Sequence, residues 1–230
     1  MNLRTFFQDF TDLIFPRCCE GCEKSLIGNE ETICTICRIS LPRIDRNGLN
    51  QDALRYKFVN VPEIVFSHAF LLFTKKSKVQ RLLHAFKYKG KKEVGILLGI
   101  MFGQEMLASG ELPAADLIIS VPLHEKKKKS RGYNQSDLLA EGFSSVTGIP
   151  WSGDILQRVK YTETQTGKSK TERRENVKGV FEITGKIDQK SIIIMDDVLT
   201  TGATLEECVQ TLIQAGCNQF FILTIALAEH

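Results

Sequence analysis

The sequence predicts an α/β protein, a mostly parallel sheet with helices on both faces, joined to a small amino-terminal four-cysteine module. Three observations predict this. From about residue 64, apolar strand-like runs alternate with stretches of helical periodicity. The runs Leu117-Ile-Ile and Ile192-Ile-Ile-Met are apolar throughout, as in strands covered on both faces. Five of the seven cysteines fall between Cys18 and Cys37.

Phe6, Phe7, Phe10, Leu13 and Ile14 recur at helical spacing and stop at Pro16, so a short amphipathic helix leads into the cysteine module. That helix lacks the basic polar face of a membrane-surface helix, so the expectation is packing on the module itself. Cys19-Glu-Gly-Cys22 and Cys34-Thr-Ile-Cys37 are two C-x2-C pairs, a spacing that offers four thiolates to one Zn²⁺. Cys18 also stands at a usable distance from Cys22. Cys19 is preferred because it repeats the spacing of Cys34 and Cys37. Four thiolates leave no open coordination position, so the site is expected to be structural. Metal binding also supplies folding free energy that so small a module lacks.

Residues 1–42 therefore form the helix and metal module. Residues 43–63 are polar, with Gly48 and Pro62, and read as a linker; residues 64–230 form the α/β domain. Strands are expected at His68–Phe73, Asp116–Val121, Val180–Ile183, Ser191–Met195 and Gln219–Leu227. Helices are expected at Val79–Phe86, Val94–Leu107, Asn134–Val146 and Thr204–Ala215.

No apolar run approaches the ~20 residues of a membrane span. Asp9 and Asp12 interrupt the amino-terminal apolar pattern, unlike a secretory signal, so the expectation is a cytoplasmic protein. The net charge of +3 decides little, but its distribution is uneven. Lys75–Lys92 holds eight basic residues and no acid, and Lys126–Arg131 adds four lysines and an arginine. Such clusters suit phosphate chains, including DNA, though a charge run is commonly just a solvated face.

The most informative stretch is Ser191-Ile-Ile-Ile-Met-Asp196-Asp197-Val198-Leu199-Thr200-Thr201-Gly202-Ala203-Thr204. A buried strand ends in two acids, and a Thr- and Gly-containing loop then enters a helix. Unpaired N–H groups and the positive dipole end make a helix amino terminus a phosphate site. The acids beside it are acceptors suited to sugar hydroxyls. A P-loop is excluded: Gly167-Lys168-Ser169 is the only candidate, and Thr162 stands where its first glycine belongs.

This stretch resembles the phosphoribosyl pyrophosphate signature of type I phosphoribosyltransferases. The resemblance implies that Asp196 and Asp197 hold the ribose hydroxyls, that Leu199 to Thr204 hold the 5′-phosphate, and that Val198 belongs to the same binding stretch. Further blocks occur in order: Phe15-Pro16, Phe86-Lys87-Tyr88-Lys89-Gly90, Val121-Pro122-Leu123-His124, Ser130-Arg131-Gly132-Tyr133-Asn134-Gln135, Gln157-Arg158, Thr164-Gln165 and Arg173-Arg174-Glu175-Asn176. Together with the cysteines they resemble the ComF family, a zinc module joined to a phosphoribosyltransferase-like domain.

That resemblance implies a competence factor handling single-stranded DNA during natural transformation, with a helicase-like partner. The alternative is an active phosphoribosyltransferase of unknown acceptor in metabolism, using phosphoribosyl pyrophosphate with Mg²⁺. Pro122, Leu123 and Arg131 would then face the pyrophosphate. The polar stretch 158–178 would form a lid carrying Gln165 and Arg173 or Arg174. Lys87, Lys89, Tyr88, Tyr133 and Arg173 are candidate DNA or phosphate contacts, with the tyrosines stacking on bases. For Tyr133-Asn134-Gln135 a second reading stands beside this one: a turn in which Asn134 caps the next helix.

Overall fold

The computed structural model describes residues 16–45, 49–160 and 177–228. The expected amphipathic helix at Phe6–Ile14, together with Gln165, Arg173 and Arg174, lies outside the described residues.

The elements run α1 (Thr35–Ser40), α2 (Leu49–Lys57), β1 (Ile64–Phe73), α3 (Lys78–Tyr88), α4 (Lys92–Ser109), β2 (Leu117–Ser120), α5 (Glu125–Arg131), α6 (Gln135–Thr147), β3 (Trp151–Ser152), β4 (Leu156–Arg158), β5 (Phe181–Ile183), β6 (Ser191–Leu199), α7 (Ala203–Gln214) and β7 (Gln219–Ala228). Five strands form one sheet in the order β1-β7-β6-β2-β3, and every pairing in it is parallel. β4 and β5 form a separate antiparallel pair.

The apolar strands face two cores. Ile118, Ile193, Met195, Phe221 and Leu223 bury against α3, α4 and α6. Leu117, Ile119, Ile192, Ile194, Phe220 and Ile222 bury against α7 and against Leu54 and Phe58. This two-sided burial is why the strands read as continuous apolar runs, not as alternating ones. α4 and α6 approach closely because neither carries a side chain at the crossing. A Cβ at Gly99 would overlap the Leu139 carbonyl, and one at Gly142 would overlap the Ile96 carbonyl.

Of residues 43–63, expected to be irregular, the described ones (43–45 and 49–63) are ordered against the sheet. Ile44 N–H donates to the Phe70 carbonyl at 3.3 Å, and Leu72 N–H to the Pro42 carbonyl at 2.9 Å. This antiparallel strip covers the free edge of β1. Arg43 ties it down through Glu105 at 2.8 Å and lies 4.4 Å above the Phe70 ring. α2 then buries Leu54, with Phe58 and Val61 following. Three buried apolar residues among many polar ones are a weak signal in the sequence, and only packing exposes it.

The cysteine module shares the first core: Cys19, Ile33, Cys34, Cys37 and Leu41 bury together with Phe70 and Phe86. Two polar ties fix it to α3 and α4. Arg81 Nε donates to the Gly21 carbonyl at 2.7 Å, and Lys91 pairs with Glu20 at 3.0 Å.

Candidate functional site

The chain leaves β2 toward β3 on one side of the sheet, and leaves β6 toward β7 on the other. The crevice between β2 and β6 is therefore a topological switch point, where open parallel sheets place ligands at the carboxyl ends of strands. β6 is longer than the sequence suggested: it continues through Asp196 and Asp197 to Leu199, because β7 pairs with it that far. β2 stops with Ser120 opposite Met195. The two acids therefore have a strand on one side only and face the crevice on the other.

Neighbouring residues of a strand point to opposite faces, and the two acids have different partners. Asp196 Oδ1 accepts from Ser136 Oγ at 3.0 Å and from the Asp197 N–H at 2.8 Å. Burial, followed by the Asp197 charge, pushes the Asp196 carboxyl up to about 7, against the opposing pull of the Asp197 N–H, Lys87 and Ser136. Asp197 Oδ2 lies 2.7 Å from Lys87 Nζ, at the last turn of α3.

Beyond β6 the chain turns through Thr200, Thr201 and Gly202. Gly202 has φ 86°, a left-handed conformation that a side chain disfavours, and a Cβ there would crowd Phe58 at 3.0 Å. No side chain caps the first turn of α7 at that residue. Thr201 Oγ1 lies 3.5 Å from the Ala203 N–H, and the start of the helix lines a small hollow formed by Asp196 and residues 198–205. Lys57 braces the turn by donating to the Thr200 carbonyl at 2.6 Å.

Arg131 sits in a neighbouring cavity of about 420 Å3 with Lys87, Tyr88, Lys127 and Tyr133. Its guanidinium lies 5.3 Å from the Tyr88 ring and donates to Gln135 Oε1 at 2.8 Å. Tyr133 is not the exposed stacking platform expected of it. Its ring is buried, and its hydroxyl donates to the Phe86 carbonyl. Tyr88, by contrast, is 66% exposed.

Asn134 caps α6, accepting from the Ser136 N–H at 3.4 Å, while its Nδ2 donates to the Val121 carbonyl at 3.1 Å and to Asp137 at 2.6 Å. The capping reading of that segment is what the structure shows. The same cap holds Ser136 against Asp196.

Pro122 and Leu123 line a separate hollow with Lys128, Gln157 and Arg158. Lys89 lies in a third, beside Cys18, Glu20 and His84, away from the two acids. Ser136 and Lys127 were not singled out as contacts from the sequence. Ser136 directly follows the Arg131–Gln135 block, which was the available signal.

The sulfur atoms of Cys19, Cys22, Cys34 and Cys37 lie within 4.8 Å of one another. A tetrahedron with Zn–S bonds of ~2.3 Å has edges of ~3.8 Å, and the Cys22–Cys34 sulfur separation is 3.8 Å. The set fits Zn²⁺. Cys18 is exposed, with its thiol on the Pro16 carbonyl, so Cys19 is the fourth member of the cluster. Burial raises the Cys19 thiol, but N–H groups of Cys34, Cys22 and Gly21 outweigh it and bring it to about 7, whereas burial pushes the Cys34 and Cys37 thiols up. A side chain at Gly21 would meet Cys37 Sγ at 3.2 Å, so the first turn needs a glycine there.

The described residues thus bring together two acids at the end of a parallel strand and, elsewhere in the chain, a four-cysteine cluster. Residues 136–229 match the phosphoribosyl transferase domain family. The chain is 36% identical over 138 residues to the DNA utilization protein YhgH of Salmonella typhi, which covers 59% of this chain and 61% of that one. It is 36% identical over 121 residues to competence protein F of Haemophilus influenzae, covering 51% and 53%. It is 29% identical over 147 residues to competence protein ComFC of Bacillus subtilis, covering 63% and 58%. The chain thus spans about three-fifths of the length of the curated relatives it matches. These relatives bear out the resemblance to the ComF family read from the sequence blocks. Among the described residues, no helix is long and apolar enough to cross a membrane.

Proposed function

We propose that the chain is a cytoplasmic competence-type factor whose phosphoribosyltransferase domain holds phosphoribosyl pyrophosphate. Its role is in the uptake or processing of single-stranded DNA in natural transformation. The observation that carries this is the pairing, at one end of β6, of two acids with a helix amino terminus whose N-cap is a glycine. Asp196 and Asp197 take the ribose hydroxyls, and the backbone and hydroxyls of Thr200–Thr204 take the 5′-phosphate. Arg131 faces the pyrophosphate, while the Pro122–Leu123 turn, expected to share that contact, lines a separate hollow, and the ligand enters as its Mg²⁺ complex with metal ligands mostly from substrate and water. Zn²⁺ on the four cysteines is structural. Exposed Tyr88 and the basic segments favour single-stranded DNA, and a helicase-like competence protein is the expected partner. Arg173 lies outside the described residues and keeps its expected role as a phosphate contact.

A second reading is favoured by the open cavity next to the acids: an active phosphoribosyltransferase. The C1–oxygen bond to pyrophosphate breaks as an acceptor bonds to C1, and the site holds the ribose while cations neutralise the leaving group. Transformation frequency separates the readings. Cells carrying Asp196→Ala with Asp197→Ala are expected to lose transformation while the protein stays folded. Normal transformation by that variant would detach the site from DNA uptake.

A further inference from the structure

Lys87 stands between two parts of the site. Its Nζ is 2.7 Å from Asp197 Oδ2, and the two side chains are only 22% and 15% exposed. The same lysine lines the cavity shared by Tyr88, Lys127, Arg131 and Tyr133, whose walls contain no acid among the described residues. Positive charge is already crowded there. Burial, with the Arg158 and Arg131 charges behind it, holds Lys127 below the ordinary ammonium range. Arg131 is fixed by Gln135 Oε1. Three cations lining one cavity suit a diphosphate-type anion.

An ammonium group drawn toward an anion in the cavity holds Asp197 less strongly. Its flexible four-carbon stem lets it move between them. As long as Lys87 holds Asp197, that carboxylate's hydrogen-bonding capacity toward a sugar is partly spent.

We propose that Lys87 is a positioning residue that couples the two halves of the ligand. A diphosphate group in the cavity draws Nζ away from Asp197, and the released carboxylate then accepts the ribose hydroxyls. This rests on the phosphoribosyl reading above. It adds a consequence which that reading alone does not contain: the sugar phosphate and the diphosphate bind with positive cooperativity, each strengthening the other by the same factor.

Calorimetric titration of the full zinc-bound chain with ribose 5-phosphate, with and without saturating inorganic pyrophosphate in Mg²⁺ buffer, tests this. In the wild type, pyrophosphate is expected to tighten ribose 5-phosphate binding on the order of tenfold. In Lys87→Met the affinity is expected to be the same with and without pyrophosphate. Lys87→Arg, which keeps the charge, is expected to restore the coupling. Wild-type binding of ribose 5-phosphate that ignores pyrophosphate, or full coupling in Lys87→Met, overturns the proposal and leaves the phosphoribosyl reading intact. Failure of every protein to bind ribose 5-phosphate overturns that reading, and this inference with it.

Discussion

Asp196 shows how one side chain carries both a cost and a use. Its carboxyl is raised from 3.8 to about 7 by burial and by Asp197, so the folded protein holds a proton there that the unfolded chain has released. Between those values the folded state binds more protons, and stability falls as pH rises. Asp196→Asn removes the titrating group. The variant is expected to gain stability relative to wild type from about pH 4 to about pH 7, with the gain fully present above that. Urea denaturation midpoints at pH 5 and pH 8 check this, and an equal difference at both would refute it. The acids and the loop after them were legible in the sequence because they are contiguous. Their partners Lys87 and Ser136 were not legible as partners, because only the fold brings α3 and the start of α6 to the end of β6.

The strands and long helices could be read from the sequence because apolar runs and helical periodicity report burial directly. Elements that depend on caps and neighbours could not. α5 buries no residue: it begins at His124, whose Nδ1 accepts from the Lys126 N–H, and ends at the left-handed Gly132. Its sequence therefore reads as a bare basic run. α1 is likewise short, and is nucleated by Cys34, whose sulfur accepts from the Cys37 N–H. The α4–α6 crossing depends on absent side chains. Gly142→Ala is expected to destabilise the domain by about 1–3 kcal/mol, since its Cβ would collide with backbone that has no rotamer to escape into. Denaturant unfolding measures this, and a shift within a few tenths of a kcal/mol would show that the helices separate easily. At the metal element, Cys34→Ser is expected to lose the zinc. Metal analysis of purified protein is the check, and full retention would remove Cys34 from the ligand set.

At the scale of the whole molecule, the cysteine module and the α/β domain share one buried core, with Arg81 and Lys91 bonding across to Gly21 and Glu20. The four-cysteine spacing and the alternating pattern made both parts legible in the sequence. Their fusion was not, because residues 43–45 and the helix Leu49–Lys57 pack on the sheet under a polar composition. The basic clusters also divide once placed. Lys87 and Arg131 meet beside the acids, whereas Lys89 lies by the cysteines. The central claim is that the end of β6 binds a phosphoribosyl diphosphate. Calorimetric titration of phosphoribosyl pyrophosphate with Mg²⁺ into the wild type and the Asp196→Ala, Asp197→Ala double variant tests it most directly. Saturable one-to-one binding by the wild type, abolished in a folded, zinc-retaining variant, is the expected result. No binding by the wild type, or equal binding by both proteins, would contradict the claim.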